Sequence, residues 1–160
     1  MEQTRKKKSF GRKVFEAALI VPFLLIVMPL IVVGLGLHLL NKILIYFLIW
    51  LWWLPKGMDV LFVSSESPIW KGYMENQILP LVAGRAIVLI WSKRHEWSRF
   101  TFKVRVFRAF GRDRDFNPMV LLFKPLRLAK VFRFLPAFKD WKHGHPETLE
   151  RLRHDLTLAL

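Results

Sequence analysis

Residues 17–37 form an uncharged apolar run of 21 residues. A helix that crosses the hydrocarbon core of a bilayer needs about 20 such residues. A second apolar stretch, residues 43–54, follows His38, Asn41 and Lys42 and ends in Trp50, Trp52 and Trp53, just before Pro55 and Lys56. Tryptophan favours the headgroup region, where its amphipathic ring sits half in water. The rest of the chain is too small to surround two fully apolar helices, so a buried soluble core is a poor account of this block. A cleaved leader fits little better. The run exceeds the ~7–15 residues of a leader's apolar region, and no small-residue cleavage site ends it.

Charge divides the chain into three parts. Lys and Arg number 26 against 12 Asp and Glu, for a formal net charge of +14, yet 53% of the residues are hydrophobic. Basic disordered chains are poor in aromatics, whereas this one has seven Trp and fourteen Phe. Residues 1–13 are a basic tail (Arg5, Lys6, Lys7, Lys8, Arg12, Lys13, with Glu2 the only acid). Residues 14–54 carry only Glu16 and Lys42, and 19 of the cations and 10 of the acids lie beyond them. Cysteine is absent, which excludes disulfides, thiolate catalysis and Cys-ligated metals.

Lys and Arg near the ends of a span stay cytoplasmic. Two basic flanks on one side require an even number of crossings. A turn at Gly34-Leu35-Gly36 gives residues 14–54 the form of a transmembrane helical hairpin, with both termini cytoplasmic; the rivals are one long span and a re-entrant hairpin that never crosses. Lys42 then snorkels to the interface. Pro22 and Pro29 are tolerated within such a helix.

Beyond Pro55 the pattern changes. Residues 59–63 and 86–91 are short apolar runs that read as buried strands. Between them, Ser67-Pro68 opens a helix over residues 69–79, with Trp70, Met74 and Ile78 on one face and Pro80 as its stop. Strand, helix and strand over this length make a βαβ unit, which implies parallel pairing. After Ser92, Trp97, Phe100, Val104 and Phe107 fit a helical stripe, while Phe100, Phe102, Val104 and Val106 equally fit strand alternation; a crossover helix is the choice, with Gly111 at its C′ position. Residues 111–118 form a charged loop, 119–123 a third strand, and 125–135 another helix with Arg127, Lys130 and Arg133 on one side. Residues 146–160 close the chain as an amphipathic helix. The expected fold is a membrane-anchored α/β protein: an N-terminal transmembrane hairpin, then a small three- to four-stranded parallel-sheet α/β domain at 56–160 facing the cytoplasm.

Ligands of open parallel sheets bind beyond the carboxyl ends of the strands. Those ends carry Ser64, Ser65, Glu66 and Ser67 on the first strand, and Ser92, His95 and Glu96 after the second. Glu66 or Glu96 would serve as a general base, with His95 orienting or protonating a leaving group. Ser64, Ser65, Ser67 and Ser92 would hold a phosphate-bearing ligand. The blander reading has these serines capping turns and the charged side chains solvated. No P-loop, dinucleotide fingerprint or nucleophile elbow is present. His143-Gly144-His145 lacks a third ligand at standard spacing, so no metal and no cofactor is expected. No motif identifies a family.

The basic, aromatic-rich stretch 97–142 suits an anionic surface. Next to a membrane, each juxtamembrane cation gains roughly 1 kcal/mol from anionic lipid, a simpler account than nucleic acid. Arg127, Lys130 and Arg133 would contact lipid phosphates, and Trp50, Trp52 and Trp53 would anchor the interface. The expectation is a membrane-docked interaction or assembly component, with anionic lipid and a membrane protein as partners. The alternative is a membrane-bound enzyme acting on a nucleotide or lipid headgroup.

Overall fold

A computed structural model describes the backbone of residues 2–111 and 118–160, and the side chains of Phe23, 26–111 and 118–160. The side chains of the basic tail and most of the charged loop 111–118 lie outside the described residues. The chain divides into two compact units, residues 1–43 and 44–160.

The first unit belongs to one helix. Helix α1, Glu2–Leu48, is continuous and has no turn at Gly34-Leu35-Gly36. The expected hairpin is therefore replaced by a single long helix. The two glycines lower helix propensity but do not end a helix that apolar neighbours continue on both sides. Nothing within 4 Å would meet a Cβ at either position, so neither marks a close approach.

The second unit starts inside the same apolar block. After α1 the chain makes a π turn, Ile49–Trp53, and a 3₁₀ turn, Leu54–Lys56. Gly57 closes it at φ 72°, a conformation glycine adopts without a Cβ penalty, and its N–H donates to the Leu54 carbonyl at 2.9 Å. Then come β1 (Val60–Ser64) and α2 (Lys71–Tyr73), which runs on through a π turn (Met74–Ile78) and a 3₁₀ turn (Leu79–Val82). Strand β2 (Ala86–Ile90) leads into a 3₁₀ segment, Trp91–Glu96, and α3 (Phe102–Phe110). Strands β3 (Met119–Leu122) and β4 (Lys130–Arg133) precede α4 (Leu135–Lys142) and α5 (Glu147–Ala159).

The sheet order is β2-β1-β3-β4. β1 and β2 are parallel, with Val60 opposite Ala86 and Ser64 opposite Ile90, as the βαβ spacing requires. β1–β3 and β3–β4 are antiparallel, so the sheet is mixed rather than parallel. The apolar run at 119–123 shows that both faces of β3 are covered, but a strand buried on both faces carries no mark of its direction. The helix expected over residues 125–135 is instead a turn and β4. Leu126 sits at φ 55°, outside the helical region. Pairing with β4 also satisfies the outer backbone groups of β3.

Two apolar layers sandwich the sheet. One face carries Val60, Phe62, Val120 and Leu122 under α2, α4 and α5, with Met74, Ile78, Phe138 and Leu156 filling the layer. The other carries Leu61, Val63, Met119 and Leu121 under α3 and the end of the first helix. The alternation of β1 and β3 between layers is the two-residue period of a strand. Gly111 does end α3, but at φ −83° rather than in a left-handed cap. Glycine is needed there for room: a Cβ would lie 2.6 Å from the Phe107 ring.

Candidate functional site

The parallel pairing of β1 and β2 brings their carboxyl ends together. The Glu66 N–H donates to Ser92 Oγ at 3.0 Å, a direct bridge between the two loops. Ser65 is buried, and its Oγ accepts from Trp70 Nε1 at 2.8 Å and from the Ser67 N–H at 3.3 Å. Ser65 thus ties the loop that leads into α2, which itself has no side-chain cap. Ser64 is 2% exposed, and its Oγ is buried without a hydrogen-bond partner. The side chains of Glu66 and Glu96 are exposed to solvent. His95 pairs with its neighbour Glu96 at 3.3 Å, with both side chains well exposed (74% and 64%). Surface pairs of this kind contribute about 0–1 kcal/mol.

The two loops meet at this end of the sheet, and the Ser65 and Ser92 hydroxyls are engaged in structure. Ser65 and Ser92 accept from the loops they join, and Ser64 is closed to solvent. Glu96 and Lys93 instead line a cleft of about 290 Å³ between β2 and the start of α3, with Ser98, Thr101 and Lys103. Lys103 Nζ also reaches the Val88 carbonyl on the outer edge of β2 at 3.4 Å. Among the described residues, no three His, Asp or Glu side chains gather in a metal-binding group.

The residues expected at the membrane surface are redistributed. Arg127, Lys130 and Arg133 do not share a helical face. Arg127 lies in the β3–β4 turn, while Lys130 and Arg133 stand at opposite ends of β4, paired with Leu122 and Met119. Arg133 donates to the Gly111 carbonyl at 3.0 Å. Arg127 and Lys130 instead share a notch of about 120 Å³ with Lys124 and Leu128. The tryptophans also part. Trp53 is buried in the layer under α3, and Trp50 is half-buried with its Nε1 unpartnered. Only Trp52 faces outward, stacked on Phe102 with Lys56 Nζ 5.4 Å from its ring centroid.

One polar device escaped the sequence reading. Asp59 precedes β1 and Arg85 precedes β2, so parallel pairing sets them side by side. Arg85 Nε donates to Asp59 Oδ1 at 2.8 Å and Nη2 donates to Oδ2, a bidentate grip. Arg85 also donates to the Leu160 carbonyl at 3.3 Å, tying down the end of α5. The hydrogen bond to Asp59 raises the Arg85 pKa further, against the opposing effect of burial. Elsewhere, burial raises the Tyr73 phenol, with Arg153 opposing and Glu150 adding to the shift.

No family model, curated protein or solved structure matches this chain.

Proposed function

We propose that this chain is a membrane-anchored protein whose basic α/β module works at the lipid surface as an interaction or assembly component. The observation that carries the reading is the exposure of the apolar helix. The stretch Ile26–Lys56 is long and apolar enough to cross a bilayer, and in an apolar 18-residue window within it only 6% of the residues are buried. A core helix of a soluble protein would be mostly covered. At 1.5 Å per residue, the stretch 17–43 alone exceeds the ~30 Å hydrocarbon thickness. One crossing puts the basic tail and the module on opposite faces of the membrane. Two cytoplasmic termini, as the basic flanks suggest, would need a second crossing. The partners proposed are anionic lipid and a protein within the same membrane.

The test is extraction of membranes carrying the full chain with alkaline carbonate, followed by N-terminal sequencing. Retention in the membrane pellet with residues 17–37 still attached supports the anchor. Release into the soluble fraction, or a shortened chain lacking that run, overturns it.

A second reading, an enzyme acting on a phosphate-containing ligand, draws support from the Glu66–Ser92 bridge and the cleft beside Glu96. Melting of the full chain with ATP or glycerol phosphate tests it. Stabilisation that survives high salt and disappears in a Glu66→Gln/Glu96→Gln double variant would favour the enzyme. No stabilisation would remove it.

A further inference from the structure

The two ends of the sheet differ in what they offer. The register sets Val60, Leu122 and Lys130 at one end and Ser64 with Ile90 at the other. At the first end the chain turns through residues 123–129. Leu126 and Leu128 are 86% and 85% exposed there, with Arg127 between them. Leu126 holds a left-handed backbone conformation that leucine rarely adopts. Lys124, Arg127 and Lys130 line the 120 Å³ notch together with Leu128 and the exposed Leu158. Among the described residues, none of these three cations has a carboxylate within ion-pair distance. The turn is also fixed to the apolar helix: the Ala129 N–H donates to the Tyr46 hydroxyl. Around Tyr46 that helix exposes Leu44 and Phe47, and the π turn after it exposes Leu51.

Exposed apolar side chains flanked by unpaired cations match the two layers of a bilayer surface, acyl chain below and phosphate above. The notch is smaller than the ~300 Å³ at which small-molecule pockets begin, so it suits a single phosphate group rather than a nucleotide. We infer that the β3–β4 turn is a lipid-reading element. Leu126 and Leu128 enter the headgroup–acyl boundary, while Lys124, Arg127 and Lys130 hold the phosphate of an anionic phospholipid. The inference rests on the membrane-anchored reading above and adds the site that meets the lipid.

The chain has no cysteine, so one introduced thiol reports one position. The full chain is reconstituted in vesicles of phosphatidylcholine alone, or mixed with phosphatidylglycerol. An environment-sensitive fluorophore is placed at Leu128→Cys, at Leu35→Cys in the helix, or at Lys93→Cys at the far end of the sheet. In mixed vesicles the Leu128 probe should shift to the blue and be quenched from within the lipid, while the Lys93 probe stays aqueous. Replacing Lys124, Arg127 and Lys130 by Gln should weaken the phosphatidylglycerol dependence about fivefold per charge removed. Leu126→Gly, which suits the turn's backbone, should leave melting intact or higher and still reduce quenching. An aqueous Leu128 probe beside a lipid-buried Leu35 probe overturns the lipid-reading turn but leaves the anchor standing. An aqueous Leu35 probe overturns the anchor itself. Equal quenching at Lys93 and Leu128 overturns the assignment to this turn.

Discussion

The apolar block splits into two stretches of similar composition and opposite fate. Up to Ile43 its large described side chains are exposed, Ile26, Leu30, Leu35 and Leu39 among them. From Leu44 on, Ile45, Ile49 and Trp53 fall on one stripe four residues apart and are buried against the sheet with Leu61, Leu121 and Phe123. Hydropathy alone cannot separate lipid-facing from protein-facing side chains, because both solvents reward the same residues. What separates them is the neighbour. The second stretch has a sheet face beneath it, and that face needs a cover. The globular module therefore begins at Leu44, directly after Ile43, and it includes residues that read as anchor.

The sharpest way to break this comparison is by truncation. A fragment of residues 44–160 should melt cooperatively, with the near-ultraviolet signature of packed tryptophans. A fragment of residues 56–160 lacks the cover over Leu61 and Leu121. It should show the expanded, dye-binding behaviour of a molten globule. Cooperative melting of the shorter fragment would mean that the second stretch is dispensable anchor after all.

Single substitutions sharpen the same contrast. Trp53→Ala should cost about 3–5 kcal/mol of module stability, as large-to-small changes in a packed core do. Leu39→Ala, with its side chain exposed, should leave module unfolding within about 0.5 kcal/mol of the parent. Chemical denaturation in a mild detergent, followed by tryptophan fluorescence, reads both. Equal effects would erase the distinction between the two stretches.

A smaller effect is expected where the strands begin. Arg85→Ala should cost about 1 kcal/mol, because the bidentate grip on Asp59 is partly open to solvent and screened. Raising the salt concentration should narrow the gap between variant and parent. A salt-independent loss would point to lost packing instead.

The smallest effect comes from Tyr73. Burial raises its phenol above the usual value of about 10. The folded state then holds its proton after the unfolded chain has released it. The stabilising contribution is full below pH 10 and is lost as pH rises through the folded value. Tyr73→Phe should flatten that alkaline decline in a melting series, and an unchanged slope would assign the decline to other groups.

Much of the module was legible in the residues. The runs at 59–63, 86–91 and 119–123 are short and apolar and read as strands; β1 and β3 are buried throughout, whereas β2, at the sheet edge, is buried only at Leu89. The spacing of the first two fixed their parallel pairing, and hence the meeting of Glu66 and Ser92. The segment from Pro125 misled because Arg127, Lys130 and Arg133 keep helical spacing, while Lys130-Val131-Phe132-Arg133 is as good a strand. Only the open edge of β3 decides between them. The notch at Lys124, Arg127 and Lys130 exists because that segment folds back as a hairpin, so no spacing rule along a helix could have found it.

By itself, the sequence determined that a long apolar block precedes a small, basic, cysteine-free α/β unit. Those properties follow from local periodicity and from how charge is distributed along the chain. Tertiary structure alone decided that the helix runs unbroken, that its last turns belong to the core, and that β3 runs against β1. Each depends on which surface is left uncovered once the other elements have packed, and that is a property of the assembled fold rather than of any segment.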